Sequence, residues 1–431
     1  MKNDNFTNKK IGIWGFGIVG KSVYNYLKQF SNQIQVLDKT KQNIENWIEQ
    51  TDKNIDTFLE KNDLIICSPG IPLHNYQQYH HKMITELDIF AQNYRQTTVG
   101  ITGTLGKTSI TTLLQQHIPN SIAAGNIGYP MLNILALQQP PSTTILELSS
   151  FQLNYIRNFA PDIAIWTNFY PNHLDHHTSE DEYFLAKCNI MRHQTSSQIA
   201  LIACNLIERI KKCISINSQI FLFCTQQCSK HTYPTFTNSN NQIKCKNNVI
   251  FDNTNRLPNT TFEENWLIII ATLYILKAPL IITNNHNTLQ EHRLEKIGTY
   301  KNSTFYNDSK STVWQATKQA IASLNQESCA LFLGGLSKGT DRTPLIQYLQ
   351  NKPITVFAFG KEAETLQTMC QKYNISCSAY TTLDEAFIAC MKQPLPKNIL
   401  LSPSGASFDL FKNYIERGNH FKSLYNQLAH S

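Results

Sequence analysis

Residues 98–114 read Thr-Val-Gly-Ile-Thr-Gly-Thr-Leu-Gly-Lys-Thr-Ser-Ile-Thr-Thr-Leu-Leu. An apolar β-type run, Thr98–Thr102, enters a tight turn at Gly103–Thr108, and Ile110, Leu113 and Leu114 follow at helical spacing. A strand, a glycine turn and a helix in this order restrict the chain to an α/β fold built around a phosphate-binding loop. Glycines let backbone N–H groups curl around phosphate, and the helix N-terminus adds positive potential. The loop is compact and does not follow the longer standard spacing. Gly103, Thr104, Gly106, Lys107, Thr108 and Ser109 are the candidate nucleotide contacts. Lys107 would reach the outer phosphates and the Thr108 hydroxyl would ligate Mg²⁺, so ATP or GTP with Mg²⁺ is the expected ligand.

With 431 residues the chain has room for two or three domains. Its formal charge of +7 is modest and its lysines form no long basic block, so nothing demands a nucleic-acid partner. No apolar signal region precedes the first strand at Ile11. The longest apolar run, Trp266–Leu276, is broken by Lys277 and Pro279, which suits a buried helix and not a membrane span. A cytoplasmic monomer is expected, with its 11 widely spaced cysteines as reduced thiols. Cys224, Cys228, His231 and Cys245 form one cluster, but their spacing fits no standard zinc pattern.

Residues 11–20, Ile-Gly-Ile-Trp-Gly-Phe-Gly-Ile-Val-Gly, carry a strand into G-x-G-x-x-G, with a helix expected over Ser22–Phe30. A second strand, Ile34–Leu37, ends at Asp38, and a third, Leu64–Cys67, runs into Ser68-Pro69-Gly70. This opens a Rossmann-type unit, whose glycines accept NAD or another nucleotide diphosphate equally well. After the P-loop, strand Thr143–Leu148 carries Glu147 near its carboxyl end, where a second Mg²⁺ ligand belongs. Strand Ile163–Asn168 leads to Asn172-His173-Leu174-Asp175-His176-His177, a setting for metal or phosphate chemistry. A helix over Glu180–His193 carries Lys187, by itself readable as a solvated lysine. Residues 199–260 hold short strands, with a surface hairpin or loop over Phe236–Asn248. Asn265 is polar within the apolar helix Phe262–Leu276 and needs a partner or a ligand. From residue 289 onward, strands Ser303–Tyr306, Cys329–Leu333, Thr355–Phe359 and Asn398–Leu401 each end in a polar or glycine turn. Two helices are expected there, Val313–Leu324 and Leu410–Leu428, completing a further α/β domain with functional loops along one sheet edge.

Taken together and in order, these motifs resemble the Mur ligases, in particular the branch that adds D-glutamate. The stretches that carry the likeness are Leu146–Leu153, His292–Glu295, Asn307–Thr312 and Phe411–Gly418. The resemblance implies three α/β domains: a Rossmann-like UDP-substrate domain (1–96), a central P-loop ATPase with a mainly parallel sheet (97–288), and a Rossmann-like C-terminal domain (289–431) that closes over the site. It implies an ATP-dependent ligase of peptidoglycan precursor synthesis, joining D-glutamate to UDP-N-acetylmuramoyl-L-alanine through an acyl phosphate. Lys107, Thr108, Glu147 and His173 would serve ATP and two Mg²⁺ ions, and Lys187 would carry a CO₂-derived carbamate that makes it a metal ligand. Asn265, Arg293 and Asp308 match ATP-contacting positions, and Asn126 a position contacting substrate and phosphates. Lys310, Thr312, Lys338, Ser407 and Tyr414 match positions that hold D-glutamate or the incoming carboxylates. Ile18, Val19, Asp38, Lys39, Ser68 and Gly70 match the UDP-contacting turns. Leu105, Val313, Tyr414 and the stretches Asn259–Phe262 and Ser404-Gly405 depart from the family pattern. The competing expectations are a ligase for another amino acid, a nucleotide-dependent switch without ligation, and a nicotinamide dehydrogenase.

Overall fold

The computed structural model describes residues 6–171, 177, 179–224, 232–239, 242–246, 248–252, 257, 261–282, 291–324 and 326–429. Each P-loop-like stretch folds as its apolar run predicts: strands buried on both faces are continuous apolar runs, and their turns carry the polar groups. Three sheets result, held in two compact units.

Unit 1 spans residues 1–169, 178–257 and 263–283 and holds two of the sheets. The first contains β1 (Ile11–Trp14), β2 (Ile34–Asp38), β3 (Trp47–Glu49), β4 (Leu64–Cys67) and β5 (Met83–Ile84). Its order is β3-β2-β1-β4-β5, all parallel, so the chain reverses direction across the sheet at β1 and leaves its glycine turn at the switch point. The second contains β6 (Thr97–Thr102), β7 (Ser121–Gly125), β8 (Thr143–Glu147), β9 (Ile163–Trp166), β10 (Ile199–Ala203), β11 (Gln219–Cys224), β12 (Thr235–Ser239), β13 (Gln242–Cys245) and β14 (Asn248–Asp252). Its order is β14-β13-β12-β11-β10-β9-β6-β8-β7, with an antiparallel β12–β13–β14 meander finishing a parallel sheet. β12 and β13 form the hairpin expected within 236–248.

A continuous apolar core runs from Ile11, Ile13 and Val23 through Val99, Ile101 and Leu114 to Trp266 and Ile270. The helix Glu86–Asn93 joins the two halves of this unit. Its Glu86 is 4% exposed and accepts the Leu132 N–H at 3.2 Å. Burial pushes the Glu86 carboxyl up to about 7, against hydrogen bonds from Leu132 and Met131 that pull it down. The folded state therefore binds a proton more readily than the unfolded chain, and wild-type stability rises as pH falls through 7 toward 4.5. Glu86→Gln mimics the protonated form and keeps an acceptor oxygen. It is expected to be more stable than wild type at pH 8 by up to ~3 kcal/mol. That gap should close near pH 4.5, and paired urea melts at the two pH values measure it. Equal stability at pH 8 would contradict the assignment.

Unit 2 comprises residues 170–177, 258–262 and 284–431. Its sheet contains β15 (Glu295–Tyr300), β16 (Ser303–Asn307), β17 (Cys329–Gly334), β18 (Ile354–Phe359), β19 (Cys377–Tyr380) and β20 (Asn398–Leu401), in the order β15-β16-β20-β17-β18-β19. All neighbours are parallel except β15–β16. The core lies on both faces, with Leu331, Val356 and Leu345 on one side and Phe332, Phe357 and Phe421 on the other. The last helix is Tyr414–Ala429 and starts four residues later than the apolar pattern suggests, because Leu410 and Phe411 close a turn on the Ser407 carbonyl.

Among the described residues no helix is long and apolar enough to cross a membrane. None of them form a group of three or more metal-ligating side chains. Cys228 and His231 lie outside the described residues, while Cys224 and Cys245 are buried. Among the described residues nine cysteines form no disulfide, but Cys204 is disulfide-bonded, a departure from the expectation of reduced thiols throughout.

Candidate active site

The helix Lys107–His117 starts directly from Gly106, whose φ of +84° is the left-handed conformation open to glycine at little cost. A methyl group at Gly106 would also lie 2.5 Å from Asn265 Oδ1. Asn265 is thus buried against the loop, which accounts for a polar residue in the apolar helix Glu263–Ile275. The loop is pinned from the other side by the end of β9. Asn168 Oδ1 accepts the Leu105 N–H at 2.8 Å, its carbonyl accepts the Thr104 N–H at 3.2 Å, and Thr167 Oγ1 donates to the Leu105 carbonyl at 2.8 Å. Leu105 therefore takes part through its backbone, which any side chain supplies.

Lys107 Nζ donates to the carbonyls of Gly103 (2.8 Å) and Thr104 (3.1 Å). Lys187, from the helix Glu180–Arg192, donates to the same Gly103 carbonyl at 3.0 Å. Far from being solvated, Lys187 is 1% exposed, with its amine 4.6 Å from the centre of the Tyr183 ring. Burial, then the neighbouring Lys107 cation, hold its amine well below the usual lysine range. Tyr183 shares a 3.3 Å hydrogen bond with Thr104 Oγ1, and burial pushes its hydroxyl up to about 12. Thr108 is buried and Ser109 half-buried in the first turn of the P-loop helix.

Glu147 ends β8, and the register sets it between Ile101 of β6 and Gly125 of β7. Its Oε1 accepts Asn126 Nδ2 at 3.0 Å, and its backbone carbonyl accepts the Asn126 N–H. Oε2 is buried with no hydrogen-bond partner among the described residues. A buried carboxylate oxygen left in this state suits a cation, so Glu147 fits the Mg²⁺ that a P-loop nucleotide brings. His173 and His176 lie outside the described residues.

At the end of β1, Phe16 N–H donates to Asp38 Oδ2 at 2.5 Å, and Thr40 N–H donates to Oδ1 at 2.8 Å. Asp38 thereby ties its own turn to the glycine turn. Ser68 Oγ donates to the Gly15 carbonyl at 2.9 Å, bringing a third turn to the same edge. Ile18 is 66% exposed at the first position of the helix Ile18–Leu27, with Val19 half-buried beside it and Lys39 and Gly70 exposed. The six residues read from these turns thus share one sheet edge.

In unit 2, Asp308 follows β16 and is buried. It accepts from Ser311 Oγ (2.5 Å), Ser402 Oγ (2.7 Å) and the Leu294 N–H (3.1 Å), which anchors the turn bearing Arg293. Burial pushes its carboxyl up to about 6 against those hydrogen bonds. Lys310 Nζ lies 5.5 Å from the centre of the Tyr414 ring, and Thr312 is exposed on the same loop. Lys338 has a φ of +51° and places its amine 5.2 Å from the centre of the exposed Phe408 ring, while the neighbouring Ser407 is buried. Sequence reasoning missed Arg417, which is fully buried. It donates to Ser309 Oγ (3.0 Å), the Ser309 carbonyl (2.7 Å) and the Gly405 carbonyl (3.0 Å), joining the loops after β16 and β20. It also missed Asn168 and Tyr183. Asn168 at the end of an apolar strand was the one visible signal, whereas nothing local marks a tyrosine that meets the P-loop from a distant helix.

The Mur ligase middle domain model matches residues 101–244. The NAD-binding domain model of D-isomer specific 2-hydroxyacid dehydrogenases matches residues 1–87, in line with the Rossmann-type strand order there. The UDP-N-acetylmuramoylalanine--D-glutamate ligase of Buchnera aphidicola subsp. Baizongia pistaciae is 31% identical over 99% of each chain. The enzyme of that name from Oenococcus oeni is 29% identical over 98% of each. Among solved structures, MurF from Acinetobacter baumannii shares the fold at a TM-score of 0.60 and 18% identity, over 95% of this chain and 88% of its own. With relatives matched from end to end, the chain belongs to the Mur ligase family and groups there with the UDP-N-acetylmuramoylalanine--D-glutamate ligases.

Proposed function

We propose that this protein uses ATP to join D-glutamate to UDP-N-acetylmuramoyl-L-alanine, a step in peptidoglycan precursor synthesis. The reading is carried by the Gly103 carbonyl, on which the P-loop Lys107 and the buried Lys187 converge at 2.8 and 3.0 Å. A carboxylate is a poor electrophile at neutral pH. An oxygen of the L-alanyl carboxylate bonds to the ATP γ-phosphorus, the bond from that phosphorus to the β,γ-bridging oxygen breaks, and an acyl phosphate and ADP result. The neutral D-glutamate amine attacks the acyl phosphate's carbonyl carbon, the amide C–N bond forms, the C–O bond to phosphate breaks, inorganic phosphate leaves, and the nitrogen gives up one proton to solvent and keeps one in the amide.

Bringing two anions together requires concentrated positive charge. Lys107 and the P-loop N–H groups supply it to the phosphates, with Asn265 packed against the loop and Asn126 holding Glu147. Thr108, Glu147, His173 and Lys187 are assigned to hold Mg²⁺, which when bound neutralises phosphate charge. Lys187 fits this role as a carbamate: burial lowers its amine's affinity for a proton, and the amine in its neutral form attacks the carbon of CO₂ and releases a proton to solvent. The product is an anionic ligand where a cation would be costly. Ile18, Val19, Asp38, Lys39, Ser68 and Gly70 are assigned to the UDP moiety, and Arg293 and Asp308 to ATP. Lys310, Thr312, Lys338, Ser407 and Tyr414 are assigned to the amino acid and the reacting carboxylates. On this reading the chain works as three functional domains, 1–96, 97–288 and 289–431, in a cytoplasmic monomer.

Phosphate release is the test, with ATP, Mg²⁺ and the UDP-linked muramoyl-alanine, and with D-glutamate present, absent or replaced by L-glutamate. Release should require D-glutamate. Release indifferent to the amino acid would leave a nucleotide-hydrolysing P-loop protein and overturn the ligase assignment.

A further inference from the structure

Arg342 sits just before the helix Thr343–Leu349 and is 4% exposed, although no substrate role falls to it. Its Nε donates to the Ser404 carbonyl at 2.9 Å, and one terminal nitrogen donates to the Gly335 carbonyl at 2.8 Å. The other terminal nitrogen lies 3.4 Å from Glu362 Oε2. The second oxygen of Glu362 accepts both the Ser337 N–H (3.0 Å) and the Ser337 hydroxyl (3.1 Å). Thus one buried guanidinium bridges the loop after β17 to the loop after β20, and its carboxylate partner on the turn after β18 grips the residue next to Lys338. The same two loops also pair through Leu336 and Ala406, each N–H donating to the other's carbonyl at 2.8 Å.

A buried charge is costly unless paired and hydrogen-bonded, and removing its partner leaves that cost uncompensated. The Glu362 carboxylate supplies the opposite charge, without a hydrogen bond to that terminal nitrogen among the described residues, from a half-exposed position with a side-chain exposure of 29% against 3% for Arg342. Lys338 meanwhile holds a φ of +51°, a left-handed conformation that is uncommon for a residue other than glycine. The residue immediately before it is the one Glu362 fixes. The ion pair and the Leu336–Ala406 backbone pair thus both hold the base of this loop.

We propose that Arg342 and Glu362 are positioning residues for the incoming amino acid, an ion pair that fixes Lys338 and Ser407 in register to receive its carboxylate. This rests on the assignment of Lys338 and Ser407 made above. Glu362→Gln keeps the size of the side chain and removes its charge, and Ser337→Ala removes one hydrogen bond while leaving the backbone one. Initial rates of phosphate release give KM for D-glutamate, ATP and the UDP-linked substrate separately. Glu362→Gln is expected to raise KM for D-glutamate about tenfold, the worth of one charge-assisted hydrogen bond. KM for ATP should stay within about twofold of wild type, and Ser337→Ala should show a smaller shift in the same direction, about two- to threefold. Glu362→Asp, which keeps the charge, should recover part of the loss. A merely structural role would lower the active fraction, and so kcat, and leave the three KM values in place. That result, or an unchanged KM for D-glutamate in both variants, overturns the proposal. Wild-type protein without saturable dependence on D-glutamate overturns the ligase assignment itself, and this proposal with it.

Discussion

Lys107→Ala is expected to lower ATP-dependent phosphate release by about 10²–10³-fold, the scale set by removing one preorganised donor from a site of developing charge. Lys107 is half-buried and donates to two carbonyls of its own loop, Gly103 and Thr104. In the proposed nucleotide complex, phosphate oxygens take the place of those carbonyls. The helix behind it buries Ile110, Leu113 and Leu114, none of which depends on the lysine. The variant should therefore fold, losing about 1–2 kcal/mol of stability with the two hydrogen bonds. A melt and a nucleotide titration beside the rate assay separate loss of the site from loss of the fold. Phosphate release above a tenth of wild type in a folded variant would mean that nucleotide is handled elsewhere.

Lys187 carries the second large effect. Lys187→Ala and Lys187→Met are each expected to reduce activity by about 10²-fold or more, because both remove the group assigned to the cation. Methionine fills the volume of the lysine stem, so it keeps the packing around Tyr183 and the Gly103 turn. Alanine leaves a cavity at a 1% exposed position. Short-chain carboxylic acids should restore part of the activity in the alanine variant, where they can enter, and none in the methionine variant. Bicarbonate should rescue neither, since no amine remains to take up CO₂. In the wild type, burial and then the Lys107 cation lower the amine's affinity for a proton, which favours the neutral form that the proposed carbamylation requires. Raising pH favours the carbamate further, because its formation releases a proton. A fully active alanine variant would remove Lys187 from the site.

The strands β4 and β20 begin and end where their apolar runs do, at Leu64–Cys67 and Asn398–Leu401. Parallel strands buried on both faces need continuous apolar runs, and their ends need glycine, serine or aspartate to turn and to hold polar ligands. Both requirements are local, and so both are written in adjacent residues. The P-loop helix and the Glu180–Arg192 helix were legible for the same reason. Other elements were not. The helix Ile207–Cys213 lies in a stretch that reads as short strands, and the first helix begins at Ile18, four residues before the Ser22 start that the sequence suggested. β15, β19 and the helices Thr343–Leu349 and Ala363–Lys372 lack a strong apolar run or a motif to announce them, whereas the helix Leu383–Met391 carries a Thr382–Glu385 capping box and the apolar run Ala386–Met391 and went unread.

The sequence by itself thus determined an α/β protein of repeated strand–turn–helix units, with a P-loop after β6 and functional turns at strand ends. It also named Lys107, Glu147, Lys187 and Asp308 as candidates, through the order of the motifs and their resemblance to one family. Only the tertiary structure decided that Lys187 is buried against the Gly103 carbonyl, that Glu147 keeps one oxygen unpartnered among the described residues, and that Asn168, Arg342 and Arg417 hold the loops. These partners stand 7 to 108 residues apart along the chain. Periodicity reports which face of an element is apolar, but not which distant carbonyl a buried cation will meet once the sheets are packed.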